Sequence, residues 1–261
     1  MKKITANQAL ELIQNFGNTY AMEADTLRYL MKEGDSVACY ASDFVFFVYS
    51  HHDTDYAVVV PLRESFDCKE LLDILHTTAP STSMLIDVQC LSADCITTLD
   101  QALADRFNHE RTLKDYIHTA DMIRNIEAFA NMKLLTADDR TDFISCTDEM
   151  LPNRPPLALL FDLFVCKGQG HILAAYEGEK IVGYLSFTRL TDSLYDVDCI
   201  YVVPDHRKQG YGKQLGAAYV AFAHEQDADA YWSNAKTTES EEIARSCGFE
   251  AIREARKYVK K

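Results

Sequence analysis

The sequence predicts an α/β (α+β) protein of two domains. An N-terminal mixed α/β domain spans residues 1–130, and a C-terminal domain spans residues 131–261 with a mixed central sheet and flanking helices. Three observations carry this expectation. The chain has 261 residues, long for one domain and comfortable for two. Short apolar runs of strand character alternate with segments of helical period in both halves. Prolines, glycines and polar clusters punctuate them at the spacing of compact connections.

In the first block, Thr5 with Gln8 forms a capping box opening a helix through about Asn15, and a second helix over Ala24–Met31 stops near Gly34. Val37–Tyr49 and Tyr56–Leu62 read as strands flanking the polar turn Ser50–Asp55. Asp67 with Glu70 caps a helix to about His76, Met84–Val88 is a strand, and Ser92 starts a helix to about Phe107. The polar stretch Asn108–Lys114 and a helix over Ala120–Phe129 lead to a boundary near residue 130.

The second block opens with a strand at Met132–Leu135 and a helix capped by Thr136 or Asp138 that runs to about Met150. Pro152, Pro155 and Pro156 break it, because proline lacks the N–H donor and restricts the residue before it. A helix at Leu157–Val165 precedes three strands in meander: His171–Tyr176, Ile181–Leu190 and Tyr195–Val203. Leu215, Ala218, Tyr219 and Phe222 recur at helical spacing, so Tyr211–Glu225 is an amphipathic helix directly behind a strand. Ala230–Ser233 is a strand, Thr238–Ser246 a helix, and Phe249–Val259 closes the block as one or two strands.

Composition narrows the function. The formal charge of −14 argues against a nucleic-acid partner, which needs a concentrated basic surface, and the acidity falls mainly in residues 1–130. Such a field either draws a cationic substrate or simply maintains solubility. The longest apolar stretches, Phe44–Tyr49 and Leu157–Val165, fall well short of the roughly 18 residues that span a bilayer. The start does not read as a signal peptide, so a cytoplasmic location is expected. Eight cysteines show no C-x-x-C pair and no zinc spacing, which suggests reduced core thiols and no metal.

The chemistry gathers in one loop. Ile200 to Gly212 joins an apolar strand to a helix, with Gly210 and Gly212 at its end. Glycine lets the backbone approach a ligand, and unpaired N–H groups at a helix start favour an anion, so the loop reads as a pyrophosphate cradle. It lacks the G-x-x-x-x-G-K-[ST] pattern of a nucleoside triphosphatase and the G-x-G-x-x-G of a dinucleotide fold.

Val202, Pro204, Arg207, Gly210 and Gly212 match V-x-P-x-x-[RQ]-x-x-G-x-[GA] in full, and here the sequence resembles the GNAT superfamily of N-acetyltransferases. The resemblance covers about 130 residues from Met132 onward and includes Gly248-Phe249 after the last helix. It implies that backbone N–H groups of Arg207, Lys208, Gln209, Gly210, Tyr211 and Gly212 bind the pyrophosphate of acetyl-CoA as co-substrate. It also implies that strand Tyr195–Val203 splays from Ala230–Ser233 to admit pantetheine, and that an N–H near Val202 faces the thioester carbonyl. Lys208 either adds charge to the phosphates or is a solvated surface residue; Asn234 and Ser240 join the expected cofactor contacts.

Transfer to an amine requires removal of a proton. The resemblance places a carboxylate on the strand before the loop, which makes Asp196 the leading base, with Asp198 on the same face to raise its pKa. Asp is shorter than the family's Glu, so it would act through water or hold the substrate's cation, and a solvated strand end is the competing reading. Many members carry a tyrosine acid where this chain has Ala244, which leaves the acid unassigned. Cys199 and Cys247 raise a route through an acyl-cysteine.

The sequence thus points to acyl transfer from acetyl-CoA to a primary amine, with a cationic small molecule preferred as acceptor and Asp148–Pro156 shaping its site. The alternative is a module that binds acetyl-CoA without turnover. Residues 1–130 read as a degenerate copy of the same fold, a lid on the acceptor site, or a domain that forms a homodimer.

Overall fold

The computed structural model describes residues 1–33, 37–51, 54–78, 83–119, 131–145, 157–235 and 237–261. The helix expected over Ala120–Phe129, the boundary near residue 130 and the segment Asp148–Pro156 lie outside the described residues. The chain divides into two compact units: unit 1 is Met1–Lys114 with Ile252–Lys261, and unit 2 is Asp115–Ala251. The closing segment from Ile252 therefore clusters with the first unit, where the sequence placed it in the second.

Unit 1 runs β1 (Lys2–Ile4), α1 (Ala6–Gln14), α2 (Ala21–Glu33), β2 (Ala38–Ala41), β3 (Phe44–His51), β4 (Thr54–Pro61), α3 (Cys68–Thr78), β5 (Ser83–Asp87), α4 (Ala93–Leu103) and the start of β6 (Phe107–His118). The Thr5 capping box forms as expected, with Gln8 N–H donating to Thr5 Oγ1 at 3.2 Å and Thr5 N–H to Gln8 Oε1 at 3.0 Å. Val37–Tyr49, expected as one strand, is two: Ser42 N–H donates to Phe44 O across a tight turn, and β2 pairs antiparallel with β3. β4 and β5 are parallel, paired from Tyr56↔Ser83 to Val59↔Ile86. Apolar side chains alternate to the two faces of the sheet and fill separate cores, one around Leu71, Leu75 and Leu99, the other around Ala9, Ile13 and Leu27.

The polar stretch Asn108–Lys114 is strand, not linker. It lies inside β6, where residues 108–111 are exposed and Leu113, Asp115, Tyr116, Ile117 and His118 are buried. A strand solvated along its first half carries too little apolar alternation to stand out from a loop.

Unit 2 takes up the end of β6 and continues β7 (Met132–Leu134), α5 (Arg140–Ser145), α6 (Leu157–Phe161), β8 (His171–Glu177), β9 (Lys180–Thr191), β10 (Leu194–Val202), α7 (Tyr211–Glu225), β11 (Asp229–Ala235), α8 (Thr238–Ser246) and the start of β12 (Glu250–Lys260). The expected helix to Met150 is a turn at Ala137–Asp139 followed by α5, and residues beyond Ser145 are not described. The expected helix at Leu157–Val165 changes after Phe161 into a wider π turn ending at Cys166. The sheet order across the unit is β6-β11-β10-β9-β8-β7.

The register of β10 contains the feature that shapes the site. Tyr195 and Val197 join the core formed with Leu215, Tyr219 and Ala244, beneath α7 and α8. Cys199 and Tyr201 join the other core, with Phe143, Leu160 and Phe161 of α5 and α6. Odd-numbered residues can change faces along one strand only if an extra residue intervenes. The pairing with β9 shows it: Val197 opposes Phe187 and Cys199 opposes Ser186, so Asp198 is bulged out.

Candidate active site

Two strands part at the centre of unit 2. β10 and β11 are parallel and pair at Leu194↔Asp229, Tyr195↔Ala230 and Asp196↔Tyr231, yet β10 continues to Val202 and β11 to Ala235 without further pairing among the described residues. The Tyr219 hydroxyl stitches the strands just below the fork, donating to Tyr195 O at 2.7 Å and accepting from Tyr231 N–H at 3.1 Å. Fully buried and committed to backbone, it is a rivet and not a reagent.

The open edge of β10 presents backbone to the fork. Val203 N–H donates to Val182 O of β9, so in the antiparallel ladder Ile200 and Val202 turn their N–H and C=O groups away from β9. On that side β11 has already departed. Val202 O accepts from Arg207 Nε at 2.9 Å, and the Arg207 guanidinium lies 5.7 Å from the centroid of the Tyr201 ring.

After a short turn at Pro204–His206, Lys208 (φ 60°) and Gly210 (φ 91°) take left-handed backbone, which folds the loop over the start of α7. Gly210 is the N-cap, with no side chain to fill the helix start, and among the described residues none of the N–H groups from Lys208 to Lys213 donates to a backbone carbonyl. An unfilled helix start beside an open fork suits an elongated anion. Gly212 serves packing instead. A Cβ there would come within 2.9 Å of Ile243 Cδ1, so its bareness lets α8 approach α7. Gln209 Nε2 donates to Asp205 O at 3.0 Å, and Tyr211 Oη donates to Glu177 Oε1 at 3.3 Å, bracing the loop.

The carboxylates sit at the fork. Asp196 occupies the last paired position and is 5% exposed. It accepts from Ser233 N–H at 3.0 Å and Ser233 Oγ at 2.8 Å. Burial pushes its pKa well above the carboxylate range; the Ser233 donors pull it down, while Asp115 and Asp198 push it further up. Asp198 is exposed at the bulge and accepts from Ser186 Oγ at 3.1 Å. Because Ser186 opposes Cys199, whose side chain packs with the α5 and α6 core, Asp198 turns to that face too.

Other expected ligands are engaged in structure. Ser240 N–H donates to Thr237 Oγ1 at 3.1 Å, capping α8, while Ser240 Oγ accepts from Trp232 Nε1 at 3.0 Å. The side chain of Asn234 lies outside the described residues. Ala244 is fully buried in the core beneath α8. Cys247 is buried and its thiol is pushed up to about 11 by burial, which keeps it un-ionised and a poor nucleophile. Cys199 is buried as well, 3.9 Å from the Tyr184 hydroxyl. Among the described residues no cluster of His, Cys, Asp and Glu has the arrangement of a metal site, and no helix is long and apolar enough to cross a membrane.

Sequence reasoning missed Asp115. It is 2% exposed on β6 and accepts from Tyr231 Oη at 2.9 Å, beside the fork. The alternation Leu113, Asp115, Ile117 marks one strand face, a signal hidden by the polar residues before it.

Parted parallel strands, a bulge in β10 and an unfilled helix start thus come together around the end of β10. Residues 135–249 match the Acetyltransferase (GNAT) family. Solved structures share the fold over both units. They include a GCN5-related N-acetyltransferase from Sphaerobacter thermophilus (TM-score 0.66, 11% identity, covering 99% of this chain and 94% of that one). A GNAT-family acetyltransferase from Colwellia psychrerythraea aligns at TM-score 0.61 and 13% identity, over 100% and 99% of the two chains. A tandem GNAT protein from the clavulanic acid biosynthesis pathway aligns at TM-score 0.57 and 13% identity, over 98% and 96%. At these identities the likeness is one of fold. No curated protein is significantly similar in sequence.

Proposed function

We propose that the protein transfers an acetyl group from acetyl-CoA to a primary amine by direct attack in a ternary complex, in the cytoplasm. The observation that carries this reading is the fork itself: the pairing of β10 and β11 stops at Asp196↔Tyr231, directly ahead of the unfilled start of α7. The residues present fit the ligand. N–H groups from Lys208 to Gly212 would hold its pyrophosphate, and the free edge of β10 at Ile200 and Val202 would receive its extended arm.

Acetyl-CoA supplies an activated thioester. The chain's own residues do the rest: the Val202 N–H offers a donor where negative charge develops, and Asp196 takes a proton from the amine directly or through water. The upward push on Asp196, chiefly from burial, makes it a stronger base than an exposed aspartate. Asp198, exposed on the same face, attracts a cationic acceptor, so a small cationic amine is the favoured partner, with nucleic acid disfavoured by the charge of −14.

Ala244 favours a second reading, binding of acetyl-CoA without turnover, because its methyl group offers no acid. A thiolate of pKa about 8.5 is a tolerable leaving group without one. Free-thiol release measured across an amine panel separates the two. Release that is lost in Asp196→Ala supports the enzyme; calorimetric binding of acetyl-CoA with no release on any amine supports the module.

A further inference from the structure

The acyl-transfer reading draws its base from β10 and its cradle from α7, both inside the family match at residues 135–249. Strand β6 precedes that match, yet it stands beside β11 in the sheet of unit 2. Its consecutive residues grip both walls of the site. The Tyr116 hydroxyl donates to Glu241 Oε2 at 2.9 Å and accepts from Arg245 at 3.2 Å, two α8 residues that flank Ala244 on one helix face. Asp115 turns to the opposite face and takes the Tyr231 hydroxyl at 2.9 Å.

Tyr231 is the residue that opposes Asp196 at the last rung of the fork, and Ser233, two residues on, holds both Asp196 oxygens. Asp115 and Asp196 thus hold neighbouring positions of one strand, Tyr231 and Ser233, from its two sides. We propose that Asp115 is a positioning residue of the transfer site: by accepting the Tyr231 hydroxyl it fixes β11 at the rung that opposes Asp196.

The groups that face Asp196 support this assignment. From β10 comes Asp198; from β9, Thr188 in the opposing register; from β11, Tyr231 and Ser233; from α7, the Tyr219 hydroxyl; from β6, Asp115. Among those acting on its proton equilibrium, Asp115 and Asp198 are the charges, both negative, and Ser233 supplies the donors. Asp198 is exposed and screened by water, whereas Asp115 is buried and acts through protein. The larger lasting influence therefore belongs to Asp115. Its functional consequence is a base that holds its proton to higher pH than an exposed aspartate does, an effect reinforced by a residue outside the segment of the family match.

The inference rests on Asp196 being the base, and its test has two arms in the full-length protein. The first is the pH profile of kcat/KM for thiol release. Asp115→Asn keeps an acceptor for Tyr231 and removes the charge, so the acidic limb should move to lower pH by about half a unit or more, with KM for acetyl-CoA within about two-fold of wild type. Asp115→Glu, which keeps the charge, should restore the limb.

The second arm needs no activity. The melting-temperature difference between Asp196 and Asp196→Asn proteins, followed from pH 5 to 8, reports the proton on Asp196, and it should shrink in the Asp115→Asn background. Asp115→Ser takes the place of Asp115→Asn if the latter does not fold, with the same expectations. An unmoved limb or an unchanged melting difference overturns the assignment. Absence of thiol release at every pH in the wild type instead overturns the acyl-transfer reading, and the melting arm then decides the role of Asp115 alone.

Discussion

The two units follow one element order, strand-helix-helix-strand-strand-strand-helix-strand-helix-strand, and differ where a ligand would enter. In unit 2 the parallel pair β10 and β11 unzips after Asp196↔Tyr231; in unit 1 the corresponding pair, β4 and β5, stays paired through Val59↔Ile86, close to the ends of both strands. The helix behind each pair differs in the same sense. α7 starts at Gly210 with its N–H groups unfilled, while α3 starts at Asp67, whose carboxylate accepts from Lys69 N–H at 2.8 Å. One unit supplies its own anion and keeps its strands paired; the other leaves both the strands and the helix start open. The same topology therefore accommodates either a closed or an open parallel pair, and the choice rests on a few residues.

The largest effect that would break this contrast is at Asp196, the proposed base. Asp196→Ala should lower kcat for thiol release by about 10²- to 10⁴-fold with little change in acetyl-CoA binding, as measured by steady-state kinetics and calorimetry. Asp196→Asn should lose activity comparably yet hold the fork, because its amide can donate to Ser233 Oγ and its carbonyl can accept from Ser233 N–H. The stability outcome has a definite sign. Burial raises the Asp196 pKa in the folded state, so the folded protein binds that proton more tightly than the unfolded chain. That contribution is present at acid pH and is lost as pH rises above the ordinary aspartate range. Asp196→Asn should therefore melt higher than wild type at neutral pH, with the gain fading toward pH 4. A gain that grows on acidification would contradict the buried-acid assignment.

An intermediate effect follows from making unit 2 resemble unit 1. Gly210→Asp places a carboxylate at the start of α7, as Asp67 does at α3; Asp tolerates left-handed backbone better than most side chains. Acetyl-CoA affinity should fall on the order of 10- to 100-fold in calorimetry, about 1.4–2.8 kcal/mol, with the fold retained by circular dichroism. Unchanged affinity would mean that the ligand's phosphates lie elsewhere.

Tyr219→Phe tests the rivet below the fork. Losing the hydroxyl strands Tyr231 N–H in the core and should lower unfolding free energy by about 1–3 kcal/mol in chemical denaturation. Destabilisation below about 0.5 kcal/mol would show that the fork holds without it.

Much of this was legible in the residues. Gly210, Pro204 and the strand before them marked the strand-to-helix loop, which the structure shows with left-handed backbone at Gly210 and a helix start free of a side-chain cap. The order of elements in unit 2 could be read from its apolar periods. The closed state of unit 1 was only half legible: Asp67 with Glu70 signalled a capped helix, but strand pairing beyond Val58 depends on tertiary register, which composition does not encode. Asp115 and the association of Ile252–Lys261 with unit 1 were hidden for the same reason, since each depends on which strand lies alongside. Arg253 shows it most plainly. Read alone it is one charge in a polar terminal strand, yet it is 2% exposed, with Nε 2.7 Å from Asp87 and its guanidinium against Glu23.

The smallest effect sharpens the comparison most, because it asks which of the two differences matters. Asp67→Ala removes the internal anion from α3 and should cost about 1 kcal/mol of stability, measured by denaturant unfolding, with thiol release unchanged. If an unfilled helix start were sufficient for binding, this variant would gain a second acetyl-CoA site. We expect a stoichiometry of one, since β4 and β5 remain zipped through Val59↔Ile86 and offer no strand edge to an extended ligand. A stoichiometry of two in calorimetry would show that the cap alone closes unit 1 and that the fork is secondary. A value of one in Asp67→Ala, together with weakened binding in Gly210→Asp, would show that the site needs both the open strands and the empty helix start.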